Sequence, residues 1–235
     1  MANQLFSASS YYLNFYALPV ALVRAFISSI GLFVLKQNKK SIINIAFFLQ
    51  CFSVSFWLLT ISIVYSCRSQ ETALFWYRYF TFFGVVNIMP SVYLFSVAWS
   101  GEFRRKKPLV IINYLIPLIF YSLEVATDKI VVPDEIRRYF WGYYPIYKPL
   151  SAIFITFFLV QFFTGFSKLY SSYRSERGRV QKRQIGLVAI ATLIAFSASV
   201  DFLPKFFNLA LYPYGYISMF VYISMVAYSI VKYRV

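Results

Sequence analysis

Seven long apolar runs alternate with short clusters of Lys and Arg, and the clusters fall on every second joint between runs. No other feature restricts the fold as much, because a bilayer core about 30 Å thick takes roughly 20 apolar residues of helix to cross. The runs cover 11–35, 41–66, 74–99, 109–126, 147–169, 185–203 and 212–231. The joints after the first, third, fifth and seventh runs hold Lys36, Lys39, Lys40; Arg104, Arg105, Lys106, Lys107; Lys168, Arg174, Arg177, Arg179, Lys182, Arg183; and Lys232, Arg234. These are 15 of the 23 basic residues, whereas the other joints carry only Arg68, Lys129, Arg137, Arg138, Lys148 and Lys205. Excess Lys and Arg in short loops marks the cytoplasmic side. The expected fold is all-α: one seven-transmembrane helix bundle over residues 1–235, N-terminus outside and C-terminus cytoplasmic.

Composition agrees. Hydrophobic residues make up 60% of the chain and charged ones 13%, against roughly 45–50% and 25% in soluble domains. A net charge of +15 ordinarily raises the question of nucleic acid. Spread over four joints between lipid-length helices, it reads instead as topology and attraction to anionic membrane lipid. The first cation is Arg24, inside the first run, so the N-terminus lacks the basic region of a cleavable signal and reads as a retained helix. The chain has no histidine, which removes the usual imidazole ligand of haem, copper and zinc, the commonest general base, and any histidine on which to phosphorylate itself. No cofactor, metal or catalytic residue is assigned. Cys51 and Cys67, sixteen residues apart on one helix and so about 24 Å apart, cannot bridge each other.

Four ionisable residues fall within or at the edge of the hydrocarbon: Arg24, Arg78, Glu124 and Asp201. Arg24 is twelve residues from the inner cluster, about 18 Å up the core; the other three sit near the outer ends of their helices. A charge in the membrane is costly and usually faces the bundle interior with a partner. Two readings stay open, a polar ligand pocket in the outer half or internal ion pairs that pin the helices. Asp201, then Glu124, is the expected partner of Arg24. Helices 3 and 4 contain Pro90 and Pro117. The sizeable outer loop, roughly 127–146, carries Asp128, Asp134 and Glu135 beside Arg137 and Arg138, then Tyr139, Phe140, Trp141, Tyr143 and Tyr144. That aromatic cluster reads as an interfacial belt anchored in lipid head groups rather than as a ligand lid. Helix 6 has a stretch of small residues, Ala189, Ala191, Ala195, Ser197, Ala198 and Ser199, which allows close approach of another helix.

Helices 6 and 7 carry a set of motifs in order. Arg179, Gln181, Arg183, Gln184 and Gly186 enter helix 6; Asp201 and Pro204 close it; Tyr212, Pro213 and Gly215 open helix 7; Lys232 and Arg234 end it. With Trp76, Tyr77, Arg78 and Pro90 in helix 3, they resemble the N-terminal seven-transmembrane region of bacterial sensor histidine kinases, also found ahead of diguanylate-cyclase and PAS domains. The resemblance implies a multi-pass sensor of the bacterial inner membrane, with a small-molecule or lipid-like ligand and signalling through helix 7 to a cytoplasmic output domain. The sequence reaches Val235 just after Lys232 and Arg234, where that connection begins. It therefore reads as the membrane part of a longer protein or as a partner of a kinase or response regulator in trans, and a homodimer is compatible with either.

Rival classes fit less well. A retinal protein needs a lysine in the middle of helix 7, and residues 212–231 contain none. A G-protein-coupled receptor needs an acid–Arg pair where Ala98, Trp99 and Ser100 stand. A small transporter or channel using the four intramembrane charges is the main alternative, although all four lie in the outer half. Intramembrane enzymes are opposed by the lack of HExxH, GxSxG or paired central aspartates.

Overall fold

The computed structural model describes residues 7–127, 135–147, 151–207 and 209–233. Among them are seven helices long and apolar enough to cross a membrane: α1 (Ala17–Gln37), α2 (Ile42–Ser66), α3 (Gln70–Trp99), α4 (Phe103–Thr127), α5 (Ser151–Ser175), α6 (Arg179–Phe202) and α7 (Gly215–Tyr233). A two-stranded hairpin, β1 (Glu135–Tyr139) and β2 (Gly142–Ile146), lies between α4 and α5. Asp128, Asp134 and Arg234 lie outside the described residues.

The helices are apolar on nearly every side, so burial is set by neighbours and not by a polar face. α1 packs on α2, α2 on α3, α3 on α5, α5 on α6, α6 on α7, and α7 returns to α1. This closes a ring of six, and α4 leans on α3 from outside it. Within the apolar windows, 83% of α3 but 17% of α4 is buried inside the protein. α4 accordingly leaves Leu109, Ile111, Leu115, Ile119 and Leu123 exposed. A row of this kind is stable against acyl chains and unfavourable in water.

Most helices run a few residues to either side of the apolar runs, α3, α4 and α6 starting earlier and α5 ending later, and two starts are delayed for a polar reason. The first helix starts at Ala17 rather than near residue 11, because the preceding segment is drawn away to pair. Ala8–Ser10 forms a 3-10 turn and Tyr11 bridges antiparallel to Cys67. Tyr12 N–H donates to Ser66 O (2.9 Å), and Arg68 N–H to Ser10 O (2.9 Å). The last helix starts at Gly215, and 211–214 has no regular structure. The bundle thus has one end covered by the N-terminal segment and the hairpin, called here the hairpin end. The other end carries the joints Asn38–Ser41, Ser100–Glu102 and Glu176–Gly178, flanked by clusters of Lys and Arg in the adjoining helix turns, and is called the basic end.

Candidate functional site

At the hairpin end α3 begins with Ser69 as its cap. The Ser69 hydroxyl accepts from Thr72 N–H (3.2 Å) and is hydrogen-bonded to the Thr72 hydroxyl (2.8 Å). The helix then widens into a π turn over Tyr77–Thr81 before resuming as α-helix at Phe82, whose N–H reaches Tyr77 O. A π turn fits an extra residue into the helix and redirects side chains and carbonyls, and such turns are frequent at functional sites. Here the redirected Tyr79 carbonyl accepts from the Tyr121 hydroxyl of α4 (2.9 Å), and the Tyr77 and Tyr147 hydroxyls meet at 2.7 Å.

Arg78 lies within this turn. Its Nε is 3.7 Å from Oε1 of Glu124, an ion pair in which the carboxylate is fully buried and the guanidinium mostly so. Desolvation offsets much of the attraction in such a pair, so its value lies in fixing one arrangement and in the cost of losing one partner.

Asp201 ends α6 in a 3-10 turn over Ala198–Phe202. Its two carboxylate oxygens accept from the backbone N–H of Gly215 at 2.9 and 3.1 Å. The acid therefore caps the N-terminus of α7, where the helix dipole and the unpaired N–H groups favour negative charge. Gly215 has to be glycine, since a Cβ there would come within 2.8 Å of Asp201 Cγ. The Asp201 carbonyl in turn accepts from the Tyr144 hydroxyl (3.0 Å). Burial, and next the Asp201 carboxylate, push that hydroxyl well above its usual range, which keeps it a donor. β2, α6 and α7 are thus joined through one residue.

The hairpin corrects the reading of its aromatic cluster as a lipid-anchored belt. Trp141 and Tyr144 are fully buried, Tyr143 nearly so, and only Phe140 of the cluster stands exposed. The tight turn at Phe140 and Trp141 lays Gly142, at φ +129°, against the last turn of α2, where a Cβ would meet Tyr65 O at 2.5 Å. Asn14 Nδ2 bridges the two, donating to Tyr65 O (2.7 Å) and Trp141 O (2.8 Å). The rings fill the end of the bundle because this hairpin has no other core on which to pack.

Arg24 is brought to neither carboxylate. It shares the heptad spacing of the buried Ala17, Val20, Ile27, Gly31 and Val34 on α1, and its Nε is buried without a hydrogen-bond acceptor among the described residues. The expected pairing is not made: Asp201 is held by Gly215 of α7 and Glu124 by Arg78 of α3, each on a neighbouring helix. Pro90 is buried inside α3, Pro204 and Pro213 are buried beside the α6–α7 connection, and Lys232 Nζ donates to the Tyr228 hydroxyl (2.5 Å).

Two spaces adjoin these residues. A cleft of about 550 Å³ opens beside the π turn, with Arg68, Arg78, Glu71, Ser9, Ser69 and Phe75 among its walls. A second space of about 50 Å³ lies inside the ring, where Met89, Phe158, Phe196 and Met219 face Thr192, Tyr222 and Asp201. The second has room for a few waters at most.

Sequence reasoning passed over Asn14, Gly142 and the π turn. A polar residue three before a proline-bearing helix gives no signal of its role, and nothing in the sequence marks a π turn. A family model described as the N-terminal 7TM region of histidine kinase matches residues 19–235. No curated protein matches the chain.

Proposed function

The chain belongs to the family of N-terminal seven-transmembrane regions of histidine kinases, a non-catalytic membrane sensor region of a signalling protein, and on that basis we propose how it senses. The hairpin end faces outside and the basic end faces the cytoplasm, following the distribution of Lys and Arg. A small ligand enters the cleft over the π turn. Its volume of about 550 Å³ falls within the ~300–1,000 Å³ usual for small-molecule sites, whereas the inner space is too small for more than water. Arg68 and the Glu124-paired Arg78, with the acid Glu71 and the hydroxyls of Ser9 and Ser69 in the same walls, favour a strongly polar ligand whose acidic group meets Arg68.

The observation that carries the signalling half of this proposal is the cap of Asp201 on Gly215. Asp201 forms part of the wall of the inner space, and α3, below the π turn, supplies the opposite wall through Val85, Ile88 and Met89. A ligand that shifts α3 changes the packing around Asp201, and Asp201 holds the first residue of α7. Helix shifts of about 1–2 Å are the ordinary scale of such switching. α7 then runs to Tyr233 without Gly or Pro after Gly215, so displacement can pass rigidly to a downstream output domain. The ligand biases the switch only through its different affinity for the two states.

The test joins residues 1–235 in helical phase to a kinase output domain and titrates small acids and acidic amphiphiles from the outer side. Ligand-dependent kinase output that Arg78→Gln weakens and Asp201→Ala uncouples is the expected result. Substrate flux through the 235-residue chain in liposomes, with no ligand-dependent change in output, would favour a transporter instead.

A further inference from the structure

At the basic end, two groups among the cations differ in what they meet. Arg105, Lys106 and Lys168 all gather on one acid, Glu102, at 2.8, 3.2 and 3.2 Å. Arg179, Lys182 and Arg183 have no carboxylate within 4.0 Å among the described residues. The adjacent acid, Glu176, is turned onto its own loop, its Oε1 accepting from Gly178 N–H (2.8 Å). The three cations border a cleft of about 500 Å³ between the end of α5 and the start of α6, which contains no acid in its lining.

The order of residues along this cleft is what gives it chemistry. Positions 179, 182, 183, 186, 187 and 190 recur at helical spacing and share one face of α6. The first turn of that face is cationic, and the next two present Gly186, Leu187 and Ile190. Over those eleven residues the face descends about 16 Å, from the water boundary well into the hydrocarbon. Gly186 leaves the groove open beside the Tyr173 ring, which a Cβ there would approach to 3.2 Å. Lys182 Nζ lies 5.2 Å from the centre of the same ring, holding its charge over the groove. Ile190 remains more than half exposed.

We infer that this cleft binds one anionic phospholipid of the membrane in which the bundle sits. The phosphate diester rests among Arg179, Lys182 and Arg183, and an acyl chain follows Leu187 and Ile190. Positive charge at the interface followed by an apolar groove below matches such a lipid from head to tail, whereas a free anion uses only the upper half. The N-terminus of α6, opened by Gly178, adds its dipole at the same place. The site lies at the opposite end from the sensing cleft and stands whether or not that reading holds.

The test uses the full chain, purified in detergent and stripped of lipid, with phosphatidylglycerol or phosphatidylcholine added and bound lipid counted by native mass spectrometry. One phosphatidylglycerol is expected to bind well ahead of phosphatidylcholine. The triple variant Arg179→Gln, Lys182→Gln, Arg183→Gln is expected to weaken it on the order of a hundred-fold, at about 1 kcal/mol per cation. The control Lys36→Gln, Lys39→Gln, Lys40→Gln removes the same charge from the same end and is expected to bind as the unaltered chain does. Gly186→Leu keeps every charge and fills the groove, and is expected to lose the lipid as well. Equal weakening in the control, unchanged binding in Gly186→Leu, equal binding of phosphatidylcholine, or displacement by an equal concentration of inorganic phosphate would each overturn the inference.

Discussion

The two ends of the bundle use charge in opposite ways. At the hairpin end, beside exposed charges such as Arg68, Glu71, Arg137 and Arg138, two acids are buried, and Glu124 and Asp201 each meet a particular partner: Arg78 at 3.7 Å, and Gly215 N–H at 2.9 Å. At the basic end charges are many and exposed, and several cations share the single acid Glu102. Buried charges are little screened and costly to leave unpaired, so the hairpin end holds one geometry. Exposed charges are screened and replaceable, so the basic end acts by number, through orientation and attraction to lipid. A signal needs the first kind of region to receive it, and a membrane protein needs the second to sit correctly.

The largest effect expected from this contrast is all-or-none. Cysteines placed near Arg104 and Arg179 should react only with reagent on the cytoplasmic side, and one near Asp134 only from outside. Labelling of both sets from one side would abolish the assignment of the two ends.

Next comes the buried pair. Glu124→Ala leaves the Arg78 guanidinium without its carboxylate and should cost about 3–5 kcal/mol of stability, read as a lowered unfolding midpoint in detergent. Arg78→Leu combined with Glu124→Leu should recover most of that loss. A double variant as unstable as the single one would show that the pair contributes through contacts other than charge.

Gly142→Ala places a Cβ at φ +129° against Tyr65 and should cost about 1–3 kcal/mol, loosening the hairpin. Cys67, fully buried and with its thiol pushed up to about 12 by that burial, reports the loosening. Its alkylation at pH 8, slow in the unaltered chain, should quicken in the variant, while that of Cys51 in the bundle core stays slow. Unchanged Cys67 reactivity would mean that the hairpin does not cover this end.

The smallest effect belongs to the basic end. Hydrogen bonds from Lys168 first and Lys106 second hold the Glu102 carboxyl below its ordinary value of 4.5. A group depressed in this way contributes stability that is complete above 4.5 and fades as pH falls through the folded-state value. Glu102→Gln should therefore lower the unfolding midpoint slightly at pH 7. The difference should shrink as pH drops below about 4.5 or when salt is raised. A gap that persists at low pH would point to packing rather than charge.

The helices were legible in the sequence because a lipid solvent leaves few choices. An apolar run of sufficient length has to be a helix. The ends were less legible for the same reason, since once outside the hydrocarbon the chain answers to particular partners. Tyr11 could pair with Cys67 only because α2 and α3 bring that joint alongside it, and no local pattern announces this. Trp141 looks like a belt residue until the hairpin register sets Tyr139 opposite Gly142 and turns the indole inward. Arg24 shares the spacing of the buried residues of α1, but its partner depends on which acids other donors already hold. Depth is readable from sequence; pairing across helices is not.

Hydrogen exchange at Gly215, in the full chain reconstituted in lipid nanodiscs, tests most directly whether Asp201 fixes the hairpin end of α7. In the unaltered chain the Gly215 amide should be strongly protected. Asp201→Ala leaves that buried N–H without its acceptor, a loss of about 1–3 kcal/mol, so exchange at Gly215 should quicken by roughly 5- to 150-fold. Protection around Met225 and Ile230, deeper in α7, should hold. Unchanged protection at Gly215, or equal loosening along all of α7, would contradict a latch at Asp201.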